Sequence, residues 1–65
     1  MYDVGDIIKI NNTDYRNSLN VGEEFIVVKS TSSEQRIKQI SGDKCNIGRI
    51  WIDSTQHLEH YDKIG

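Results

Sequence analysis

"GRIWIDSTQHLEHYD", residues 48–62, holds the chain's single tryptophan and both of its histidines, and its reading decides the fold. In its first half Ile50 and Ile52 alternate with Trp51. A period of two marks a strand and sends the isoleucines to one face and Arg49, Trp51 and Asp53 to the other. "STQH" (54–57) reads as one tight helical turn, with Asp53 or Ser54 capping its free amides. "LEHYD" (58–62) reads as a short final strand. A strand, one turn and a strand close a small β-barrel. In such a barrel the isoleucines take the inside, which leaves Trp51 on the outer face. There it is either covered, by Tyr15 of the 11–20 loop or by Tyr61 at the chain end, or open to a partner.

Upstream, the same punctuation recurs. "CNIGRIWID" (45–53) is one strand, and "SGDK" (41–44) before it carries Gly42, a hairpin tip that tolerates positive φ. "RIKQI" (36–40) is a strand of mixed character, preceded by the polar turn "TSSEQ" (31–35). "EEFIVVKS" (23–30) is apolar on both faces, Phe25 and Val27 on one and Ile26 and Val28 on the other. It reads as a central, strongly bent strand that feeds the core on each side. The adjoining Glu23 and Glu24 point to opposite faces and read as solubility charges. "DIIKI" (6–10) opens the domain, with Ile8 and Ile10 on one face and Lys9 on the other. "NNTDYRNSLN" (11–20) is a long polar loop whose Asn, Asp and Ser side chains make local turns. Lys63 to Gly65 is expected to fray. No window places apolar residues at helical spacing, and the isoleucine-rich, proline-free composition favours strands. The expected fold is all-β: a five-stranded barrel with a long first loop and a helical turn before the last strand, as one domain over residues 1–65.

Composition narrows the function classes. Sixty-five residues give a marginal core, so a partner subunit, including a homodimer mate, is a natural addition. The single Cys45 permits no intramolecular disulfide. No stretch spans a membrane, and "MYDVGDIIKI" lacks the basic start and apolar run of a signal peptide. A cytoplasmic location is therefore expected. A net charge of −2 is unlike a general nucleic-acid binder, although a local basic stripe is compatible with it.

Sites of chemistry are weakly signalled. His57 and His60 have a ligand spacing only if they lie on a helix, and no paired cysteines accompany them, so no metal is expected. Cys45 sits by a hairpin tip, with no helix N-terminus to activate it. The glycines are scattered, which excludes a phosphate cradle. No catalytic set and no cofactor are expected.

In layout, "VGDIIKI", the polar loop, "VGEEFIVV", the hairpin and the terminal "GRIWIDSTQHLEHYD" resemble the SH3-like small barrels of KOW, Tudor and SH3 type, including short orphan proteins of bacteriophage genomes. The resemblance covers nearly the whole chain through loose motifs, and it implies binding rather than catalysis. The expectation is a non-enzymatic protein-binding module, of the kind with which a phage-type accessory protein modulates or inhibits a host or defence protein. Its candidate anchors are Tyr15, Arg16, Trp51, His57 and Tyr61. The alternative is a KOW- or Tudor-like nucleic-acid module. For that, Lys29, Arg36, Lys38, Lys44 and Arg49 supply cations, with Arg36, Lys38 and Arg49 brought beside the ring of Trp51.

Overall fold

The computed structural model describes residues 1–13 and 18–65, with five antiparallel strands in one sheet. These are β1 (Ile7–Ile10), β2 (Glu24–Ser30), β3 (Glu34–Gln39), β4 (Ile50–Ser54) and β5 (Tyr61–Lys63). Their order is β4-β3-β2-β1-β5: the chain meanders through four strands, then lays its last strand beside its first. The mostly-β expectation holds. The hydrogen-bonded ladder does not close into the expected cylinder, because β4 and β5 form its two ends. A side-chain bond joins those ends instead, the Tyr61 hydroxyl donating to Asp53 Oδ2 at 2.6 Å.

Local chemistry explains the boundaries. At the β2–β3 turn the Thr31 hydroxyl accepts from the Glu34 amide at 3.1 Å, and the Thr31 amide donates to Glu34 O at 2.9 Å. That turn is shorter than expected, so β3 begins at Glu34. A register shift between Val27 and Lys29 marks a bulge in β2. It leaves Val28 41% exposed, so only Phe25 and Val27, not both faces of the strand, enter the core. Between β3 and β4, residues 44–48 form turns, with the Cys45 amide donating to Asp43 Oδ1 at 3.0 Å. The expected strand 45–53 thus starts only at Ile50. Ser54 caps the 3-10 helix Thr55–His60 by accepting from the Gln56 amide. The helix consumes Leu58 to His60, and β5 begins at Tyr61. The C-terminus does not fray: Ile7 N donates to Gly65 O at 2.7 Å and Ile64 N to Ile7 O at 2.9 Å.

The core lies on one side of the sheet, where Ile8, Ile10, Leu19, Phe25, Val27, Ile37, Trp51 and Tyr61 pack together with Tyr2 against them. Phe25 and Tyr61 meet edge to face, their ring centroids 6.0 Å apart. Trp51 is 7% exposed and Asp53 3%, whereas Ile50 is 48% exposed and Ile52 52%. The expected facing of β4 is therefore inverted. The reason lies in β3, where Ile37 is flanked by Arg36 and Lys38 and must point inward to keep both cations in water. Opposed residues share a face, and the register sets Ile37 against Trp51, Arg36 against Ile52 and Lys38 against Ile50. The two isoleucines follow the cations outward.

Candidate functional site

Two surfaces of the β3–β4 hairpin carry the residues that matter, and they differ in kind. On the inner side, β3 presents Gln35, Ile37 and Gln39 inward, and the two glutamines bring amides into a largely apolar interior. Burying such groups costs stability unless they are hydrogen-bonded. Gln35 meets that demand only in part: its Nε2 donates to Ser30 Oγ at 2.7 Å, while its buried Oε1 has no partner among the described residues. Gln39 meets that demand: its Oε1 accepts from Trp51 Nε1 at 2.9 Å, and its Nε2 donates to Glu23 Oε2 and Ser41 O, each at 3.0 Å. Glu23 is buried, not a surface solubility charge, and its carboxylate also accepts from the Asn20 amide at 2.7 Å and the Asp43 amide at 3.1 Å. Three N–H groups thus hold a buried anion. The carboxylate fills the space beside Gly42, where a Cβ would run into it. Gly42 also has φ 105°, a left-handed conformation natural to glycine.

A second polar chain ends the core. Buried Asp53 accepts from Tyr61 through Oδ2, while its Oδ1 accepts from the Ser54 amide at 2.9 Å and lies 2.8 Å from His57 Nδ1. His57 stands four residues after Asp53, its side chain 38% exposed, at the rim of the interior. The rings of His57 and His60 are 5.8 Å apart and tilted. Among the described residues no three His, Cys, Asp or Glu side chains gather in a metal-binding group. Cys45 is exposed. Tyr2 closes the same end, its hydroxyl donating to Tyr61 O at 3.0 Å. Burial, then the carboxylates of Asp62 and Asp6, raise that hydroxyl's pKa above the ordinary tyrosine value.

The anchors expected from sequence are therefore dispersed. Tyr15 and Arg16 lie outside the described residues. Trp51 and Tyr61 are core residues with bonded polar atoms, and His57 alone of the described anchors reaches the surface. Arg49 does accompany Trp51, its guanidinium 4.2 Å from the ring centroid, but as a lid over a buried ring. Arg36 and Lys38 share the outer face of β3, away from Trp51.

The outer side is apolar and basic. Across β2, β3 and β4 one row reads Ile26, Lys38, Ile50 and the next reads Lys29, Arg36, Ile52. With strands ~4.8 Å apart, each row spans about 10 Å. Exposed Val28 adjoins them on β2, and Ile7 continues the first row onto β1. Arg36 lies 3.6 Å from Glu34 at the border. Reading β4 in isolation misses this face. The signal for it is the alternation Arg36–Ile37–Lys38, which sets which side of the hairpin is wet.

No helix of the described residues is long and apolar enough to cross a membrane. Comparison with known proteins finds no matching family model, no matching curated protein and no matching solved structure.

Proposed function

We propose that the protein is a non-enzymatic protein-binding module of SH3-like architecture, and that it binds through the outer face of β2–β4. Support for the architecture comes from the strand order, with β5 returning beside β1 after a 3-10 helix. The Tyr61–Asp53 bond draws the two ends of the sheet together in the manner of a partly open barrel. The observation that carries the functional reading is the outward pair Ile50 and Ile52, about half exposed side by side on one strand. Adjacent aliphatic side chains left in water on a small domain mark an interaction surface. The setting we propose is that of a phage-type accessory protein that occupies and modulates a host or defence protein.

A second reading has one observation in its favour: Lys29, Arg36 and Lys38 share this face, as a nucleic-acid module requires. Among the described residues this face presents no stacking ring, because Trp51 is buried and its outward neighbours are aliphatic.

The test is a photo-reactive side chain in place of Ile52, followed by purification of the protein it captures. The Ile50→Ser/Ile52→Ser variant, still melting cooperatively, is expected to lose binding to that purified protein at least tenfold. Undiminished binding would remove this face from the proposal, and capture of nuclease-sensitive material would favour the second reading.

A further inference from the structure

We infer, resting on the protein-binding reading above, that the partner segment is acidic: an aliphatic or aromatic residue flanked by carboxylates, seated on Ile50 and Ile52. The chain as a whole carries a charge of −2, yet its two apolar rows hold Lys29, Arg36 and Lys38, with Glu34 at their border. The segregation is strong within the sheet itself. On β1 and β5 the outer face alternates sign, with Lys9 opposed to Glu24 on one side and Asp62 on the other, and at the strand ends Lys63 lies 3.5 Å from Asp6 on the opposite side of the sheet. Charges there are answered within the molecule. Among the described residues of β2–β4, Lys29, Arg36 and Lys38 meet Glu24 and Glu34, and Glu24 is already opposed to Lys9, so a positive excess is left for an incoming surface to answer.

The same charges weigh against a second copy as the occupant. A two-fold pairing of this face with itself would set Lys29, Arg36 and Lys38 of both copies together around the isoleucines. Like charges brought together at a desolvating interface are strongly unfavourable. A segment with carboxylates spaced for rows about 7 Å apart relieves that cost and covers the isoleucines. Carboxylates are preferred to phosphates because the surface between the cations is aliphatic, which an apolar side chain fills and a stacked base does not.

The experiment selects a random linear peptide library on immobilised wild-type protein and, in parallel, on Ile50→Ser/Ile52→Ser and on Lys29→Glu/Arg36→Glu/Lys38→Glu, each first shown to melt cooperatively. A random oligonucleotide pool is selected on the wild type. The expected wild-type peptides carry Asp or Glu around an apolar residue and bind the serine variant at least tenfold more weakly. Their binding weakens between low and physiological salt. The triple reversal is expected to switch the selected flanks to Lys and Arg, an exchange of preference that loss of structure would not produce. Peptides that need the isoleucines but show no acidic bias, and no switch, would overturn the acidic partner and leave the binding face standing. Peptides that bind the serine variant equally, or the absence of any selected peptide, would overturn the binding face itself. Oligonucleotides retained through Lys29, Arg36 and Lys38 in preference to peptides would assign the face to nucleic acid.

Discussion

The two faces of β4 separate what holds the molecule together from what it offers outward. Inward go Trp51 and Asp53, each tied by hydrogen bonds to other elements: Trp51 to Gln39 and through it to Glu23, and Asp53 to Tyr61 and His57. Outward go Ile50 and Ile52, set beside Lys38 and Arg36. The aromatic and the acid are buried while the aliphatics stay wet, the reverse of ranking residues by hydropathy alone. The difference teaches that an interior can be selected by which polar atoms it satisfies. An indole N–H facing a glutamine carbonyl, and a carboxylate holding a tyrosine hydroxyl and a backbone amide, form a connected frame that two isoleucines would leave unbonded.

Breaking the inner face should have the largest effect. Trp51→Ala removes a core ring and orphans the Gln39 carbonyl, a loss of about 3–5 kcal/mol before the unpaired acceptor is counted. Against a total stability of about 3–10 kcal/mol for a chain this short, thermal melting should show a largely unfolded protein at 37 °C. Gly42→Ala comes next. Its methyl group displaces the Glu23 carboxylate and forces alanine to positive φ, and denaturant unfolding should report a loss of about 1–3 kcal/mol. Trp51→Phe separates packing from bonding: it keeps much of the apolar volume and removes the indole N–H. An intermediate loss of about 1–3 kcal/mol is expected, and a loss near zero would sink the claim that the Gln39 bond selects the inward facing.

The contrast sharpens with alkaline pH. The Tyr2 hydroxyl ionises less readily in the folded protein than in the unfolded chain, so its stabilising contribution is complete below about pH 10. That contribution is lost as pH rises through the raised folded value. Melting temperatures measured across that range should fall more in the wild type than in Tyr2→Phe. Equal slopes would mean that Tyr2 does not couple to folding. The smallest effect on stability belongs to the outer face, where Ile50→Ser/Ile52→Ser should stay within about 0.5 kcal/mol of wild type per site while carrying the largest effect on binding. A large loss of stability would place those side chains in the core and reverse the comparison.

How much of this was legible depends on the strand. In "DIIKI" the alternation around Lys9 states the facing outright, and Ile8 and Ile10 are buried as read. The 3-10 helix was visible in "STQH" with Asp53 or Ser54 as its cap, though its length was not, because nothing in "LEHYD" separates a further helical turn from a strand. β2 offered aliphatics on both faces, and only the bulge after Val27 chose between them. For the candidate site, the cations of β3 were named from sequence, whereas the isoleucines beside them were assigned to the interior.

Sequence alone determined the class of fold, the number of strands and the phase of β1, since period-two patterning with a charge on one side leaves a single low-energy facing. It also determined that the chain holds no intramolecular disulfide. Tertiary structure alone decided the phase of β4. There "RIWID" is apolar on one side and aromatic-acidic on the other, and a shift of one residue in pairing exchanges the two. The register across the 40–49 turn chose, by placing Trp51 against Ile37 and within reach of Gln39. That contact spans 12 residues and depends on a turn whose conformation its own residues do not announce.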